Sequence, residues 1–175
     1  LLTVCKNYEA AQQGGEIEIL PDIYADYIQY DRRHTDTPAV LNHWRDALNG
    51  IEPLEWQLSA ETTIDAGERQ QQHETLSAEE WDELKRYCRR QGITPALYWK
   101  SVYGLLIGSL ASGDGDVVMS EFQAGRPKGH QRGVGCYYQV LPYVIPRELL
   151  TGETTTAELF GHAKGWQRSH RDYHN

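Results

Sequence analysis

Residues 94–110 read TPALYWKSVYGLLIGSL, residues 116–122 read DVVMSEF, and residues 134–145 read VGCYYQVLPYVI. Together they hold most of the apolar density of the chain. The first run opens on Thr94 and Pro95, a capping hydroxyl followed by a residue that fits the first helical turn. It is apolar nearly all round, so the helix is expected to be covered on every side. Gly104 and Gly108 fall one turn apart and predict tight helix-on-sheet packing. Residues 112–116, SGDGD, form a turn by composition. The second and third runs are rich in β-branched and aromatic residues and read as strands, with Pro142 marking an edge or a bulge. A helix feeding two strands predicts an α/β domain.

Working outward, helices are expected on both sides. Residues 1–12 place Leu1, Cys5 and Tyr8 on one helical face, ended by Gly14 and Gly15. A short extended piece over 17–20 precedes a second helix over 22–33, with Ile23, Tyr27 and Tyr30 on one face. Thr37 and Pro38 start a third, whose buried stripe is Leu41, Trp44 and Leu48. Leu54, Trp56 and Leu58 alternate as a strand, and residues 61–72 are polar. Ser77 and Glu80 form a capping box, with Leu76 and Trp81 at its staple positions and Trp81, Leu84, Tyr87 and Cys88 turned inward. Gly92 closes that helix. Thr155 and Glu158 open a last helix with a stripe of Leu159, Ala163 and Trp166. The expected architecture is helices packed on a mixed sheet.

Composition narrows the function. A chain of 175 residues is one domain long, and 39% apolar with 24% charged residues suits a globular protein. A formal charge of -8 argues against nucleic acid as a partner. Cysteines at 5, 88 and 136 leave one unpaired in any disulfide scheme, which fits reduced thiols in the cytoplasm. The longest apolar run is broken by Pro95 and Lys100, so no membrane span is expected. The chain starts without Met or a signal-peptide pattern and reads as a piece of something longer.

No single constellation identifies an enzyme. His170 and His174 flank Asp172 and could ligate a metal from one helix face, or belong to a solvated terminus. His34, His43, His73, His130 and His162 have no metal-type spacing and read as surface or partly buried. Cys136 sits in an apolar run and reads as buried and inert. Gly133 and Gly135 lack the third glycine and the helix of a phosphate loop. Residues 113–116 match only a fragment of a calcium loop.

Three segments, however, taken in order resemble the condensation domains of nonribosomal peptide synthetases. Residues 24–30, YADYIQY, resemble that family's Y-x-D-Y-A-V-W segment. Residues 133–142, GVGCYYQVLP, resemble its V-G-x-F-V-N-T-L strand, and residues 170–173, HRDY, its H-Q-D-Y segment. The resemblance implies a chloramphenicol-acetyltransferase-like two-layer lobe. Residues 1–50 would be a helical segment that follows the missing N-terminal lobe motif, and residues 51–175 an incomplete C-terminal lobe. It further implies amide formation between acyl and aminoacyl thioesters held on the phosphopantetheine arms of carrier proteins, with no cofactor bound by the lobe itself. The family's His-His-x-x-x-Asp-Gly motif is absent, so no catalytic residue is expected in this chain, and the piece alone is expected to be inactive.

The resemblance also nominates substrate-binding residues. Gln139 stands where the family strand has Asn, keeping the amide but reaching one methylene further. It would line the tunnel between the lobes with Tyr137 or Tyr138, or else satisfy backbone at a sheet edge. Tyr137 and Gln139 should share one face and Tyr138 the other. Arg126, in the G-R-P turn, would anchor a loop over the tunnel or be a plain surface arginine. Alternatives to condensation are an epimerase or ester-forming relative and a non-catalytic lobe that only docks carrier domains.

Overall fold

The computed structural model describes residues 2–18, 23–55, 71, 73–111, 113–126, 129–130 and 133–173. In chain order the elements are α1 (Leu2–Gln12), α2 (Tyr24–Thr35), α3 (Pro38–Ala47), α4 (Ala78–Gln91), α5 (Pro95–Leu110), β1 (Val117–Ala124), β2 (Tyr138–Ile145), a 3-10 turn (Arg147–Leu150), α6 (Thr156–Ser169) and a second 3-10 turn (Arg171–Tyr173). Helices and a small sheet make this an α/β chain. The expected mixed sheet is, among the described residues, an antiparallel pair with Val117 opposite Ile145 and Ala124 opposite Tyr138. Parallel pairing is limited there to one bridge, Pro53 with Asp116. The expected strand through Trp56 and Leu58 and most of the extended piece at 17–20 lie outside the described residues.

The helix ends follow local chemistry. Thr37, Ser77, Thr94 and Thr155 each accept a hydrogen bond from a first-turn backbone N–H, and Ser77 and Thr155 complete reciprocal capping boxes with Glu80 and Glu158. Gly92 ends α4 in the left-handed region at φ +63, where a Cβ would be strained.

The core lies where α4, α5 and α6 meet the inner face of the hairpin. Cys88, Ile93, Leu97, Val117, Tyr143, Ile145, Leu159, Phe160 and Ala163 are its buried members. Gly104 lets α5 approach the sheet: a Cβ there would overlap Ile145 Cδ1 and press on Met119. Gly108 gives the same room to Leu150. Lys100, the charge interrupting the apolar helix, pairs with Glu121 of β1 at 2.6 Å and lies 4.1 Å from the Tyr143 ring centre. On the far edge of β2, the Trp166 indole N–H donates to the Pro142 carbonyl and the His162 ring N–H to that of Val144. With no N–H on Pro142, that edge is closed to another strand.

Several expected burials are corrected. α5 is not covered all round: Leu97, Ser101 and Gly104 face the core, while Trp99, Tyr103, Leu106 and Leu110 are exposed. Among the described residues, the two strands and the helices α4 and α6 cover only one side of it. In α3 nothing is fully buried and Leu41 is 52% exposed, because the helix is held through His43 and Trp44. Trp81 is exposed at the first turn of α4, leaving Cys88 as that helix's fully buried residue. Cys5 and Tyr8, expected only to share one face of α1, are both exposed. The second strand begins at Tyr138 rather than at residue 134, and Cys136 lies outside it with its side chain exposed. Among the described residues, no helix is long and apolar enough to cross a membrane.

Candidate functional site

The first two segments that carry the resemblance pack against each other. α2 presents Tyr24, Tyr27 and Asp31 at i, i+3 and i+7, one helical face. Tyr137, just before β2, fills that face: its ring centre is 4.6 Å from Tyr27 and 5.3 Å, edge-on, from Tyr24. Tyr27 and Tyr137 are buried. The Tyr24 hydroxyl donates to the Cys136 carbonyl at 3.0 Å. Farther along, the Gln139 amide donates to Asp31 Oδ1 at 3.1 Å.

The glycines at 133 and 135 serve this packing rather than a phosphate. A Cβ on Gly133 would overlap the Tyr137 hydroxyl and press on Ile23, and one on Gly135 would overlap the Tyr24 ring. That close approach keeps residues 133–136 out of the ladder, whose last rung is the Gly125 N–H donating to the Tyr137 carbonyl at 2.5 Å. It also explains the late start of β2.

Arg126 binds the loop back onto the cluster. Its Nη1 donates to the carbonyls of His130 at 2.9 Å and Gly133 at 2.6 Å, and its guanidinium lies 3.9 Å from the Tyr137 ring centre. Arg126 is thus an exposed residue whose guanidinium is bonded to the loop backbone. His130 completes the cluster, 6.1 Å from Tyr27 and 6.2 Å from Tyr137. Its Nδ1 and the Tyr137 hydroxyl are buried without a hydrogen-bond partner among the described residues.

Tyr137 and Gln139 both turn toward α2, as strand alternation requires. Tyr138 faces away, 53% exposed, and packs on Phe122 at 5.4 Å. Three of the four nominated residues thus share one aromatic and amide platform, and Tyr138 stands on the opposite face. Tyr27 and Tyr137 are buried against each other at the centre of the platform. The carboxylate and guanidinium within it already serve α2 and the loop.

The third resembling segment meets α3 in a second aromatic cluster that sequence reasoning missed. His170, 7% exposed, stacks on Trp166 at 4.1 Å and on Trp44 at 4.8 Å, and its Nδ1 lies 2.6 Å from the Trp166 carbonyl. Tyr173 lies flat on His43, with ring centres 3.5 Å apart and planes at 2°. These contacts make His170 a packing plate between α3 and α6, not a fraying end. His174 lies outside the described residues. The sequence signals were Trp44 and Trp166 on the inward stripes of their helices, with His43 beside Trp44. Among the described residues no cluster of three His, Cys, Asp or Glu side chains is suited to a metal ion.

A groove of about 630 Å³ lies elsewhere, between α4, α5 and α6, lined by Tyr87, Tyr98, Val102, Leu105 and Phe160 with Glu83 and Arg90 among its polar lining. No protein-family model matches the chain, and no curated protein sequence matches it.

Proposed function

We propose that the chain is part of a condensation-type acyltransferase. It would contribute one wall of a site where an acyl or peptidyl thioester meets the amine of an aminoacyl thioester, both carried on phosphopantetheine arms of carrier proteins. The observation that supports this reading is the contact between the Tyr24–Tyr30 segment and the strand that starts at Tyr138. These segments lie more than a hundred residues apart, resemble motifs of one family, and meet through Tyr24, Tyr27, Asp31, Tyr137 and Gln139. The exposed apolar side chains also fit a lobe that works against another. Trp99, Tyr103, Leu106 and Leu110 lie along one side of α5, and Val118, Phe122, Tyr138 and Val140 on the outer sheet face.

In this reading the reaction takes its base or amine-positioning histidine from another segment, since His-His-x-x-x-Asp-Gly does not occur in these residues. Here Gln139 and Tyr137 orient the substrate arm, and Arg126 holds the neighbouring loop. A non-catalytic carrier-docking lobe is the second reading. It is favoured by the engagement of Gln139 with Asp31 and of Arg126 with loop carbonyls, both of which tie the fold together.

The test is an assay with two loaded carrier proteins, run on this chain alone and on the chain joined to a lobe bearing the histidine motif. Amide product only from the joined protein supports acyltransfer. Product from the chain alone refutes the placement of the base, and none from either leaves the docking lobe.

A further inference from the structure

α6 carries Lys164, Arg168 and Arg171 at i, i+4 and i+7, a spacing that lines cations along one side of the helix and into the 3-10 turn after it. They border a groove of about 600 Å³ at the α4–α5 junction, whose lining contains no acidic residue. In a chain of formal charge -8 this is an uneven distribution. Lys164 donates to the Gln91 carbonyl at 3.4 Å, at the negative end of α4. Among the described residues, neither Arg168 nor Arg171 is paired with a carboxylate, and both are exposed. Three neighbouring like charges repel one another, and an anion between them removes that cost.

The rest of the groove is of another character. Ile93 and Leu97, both core residues, are part of its lining, and Gln123 of β1 adds a half-buried amide. The α5 N-terminus at Thr94 contributes a weak positive potential from the same side. Guanidinium forks match phosphate oxygens two at a time, which a lone ammonium does not. Three cations are too few for nucleic acid, whose binding proteins typically neutralise about six to ten phosphates.

We propose that this groove binds a small organic phosphate, with the phosphate held by Arg168 and Arg171 and the uncharged part lying over Ile93 and Leu97 beside the Gln123 amide. The site is separate from the Tyr137 platform and independent of the acyltransfer reading.

Calorimetric titration of the full chain with inorganic pyrophosphate and with ADP tests it. Both are expected to bind one to one, ADP more tightly, and Arg168→Ala or Arg171→Ala to weaken each by about tenfold or more. Arg168→Lys should recover only part of the loss, and Arg45→Ala on α3 should change nothing. Unaltered thermal midpoints show that the arginine variants remain folded. The absence of saturable binding, or equal binding by the Arg168 and Arg171 variants, overturns the proposal. So does ADP binding no tighter than pyrophosphate. Tighter binding of an acidic hexapeptide at the same ionic strength would make the groove a peptide site and overturn it as well.

Discussion

The Asp116 carboxylate accepts the backbone N–H of Arg147 at 3.0 Å through one oxygen, while its other oxygen accepts that of Glu52 at 2.9 Å. One buried side chain thereby joins the start of β1, the chain leaving β2 and the segment before residue 55. Asp116→Ala leaves both N–H groups without that acceptor and is expected to cost about 2–4 kcal/mol. Asp116→Asn keeps one acceptor oxygen and should lose less. Urea unfolding at pH 7 checks both, and an alanine variant as stable as the parent would rule out the clamp.

Two kinds of glycine should respond oppositely. Gly104→Ala drives a methyl into Ile145 and is expected to destabilise by about 1–3 kcal/mol. Gly161 and Gly165, inside α6, have nothing within 4 Å of an added Cβ, so alanine there should stabilise by about 0.5–1 kcal/mol each. Thermal midpoints of the three variants separate the cases.

What was legible in the sequence was local. Thr37, Ser77, Thr94 and Thr155 cap helices because a hydroxyl and a nearby N–H are fixed by three residues of spacing, and Gly92 takes the one conformation that other residues avoid. Burial was less legible, because it depends on what arrives from elsewhere. Trp99 and Tyr103 carry large apolar rings, yet of these three only Leu97 meets the core. The site divides the same way. Alternation along the strand put Tyr137 and Gln139 on one side, but no local rule pairs Gln139 with Asp31, 108 residues away. Nor could spacing show that Gly133 and Gly135 make room for tyrosine rings.

Alkaline stability should depend on Tyr143. Its side chain is fully buried, and burial pushes its hydroxyl up to about 12; the Ser101 hydroxyl draws it back and the Glu121 charge adds to the rise. The folded value lies above the ordinary value of 10.0. The unfolded chain therefore releases this proton first. The associated stability is complete below about pH 10 and is lost as pH climbs toward about 12. Tyr143→Phe has no such proton, so its urea midpoint should fall less between pH 9 and 11 than the parent's. Parallel losses would place the alkaline sensitivity elsewhere.

Gln139 and Asp31 allow a structural tether to be told from a site residue. Both Gln139→Leu and Asp31→Ala break the 3.1 Å hydrogen bond that ties β2 to α2, and each should cost about 0.5–1.5 kcal/mol. If Gln139 does no more than hold the helix, both variants in the complete, histidine-bearing domain should turn over loaded carriers at the same rate. If its amide also faces the substrate arm, Gln139→Leu should slow condensation well beyond Asp31→Ala at equal stability. The effect should then fall on kcat, because a misdirected amine reacts poorly even when bound. Equal rates would remove Gln139 from the site and leave Tyr137 and its aromatic partners as the wall.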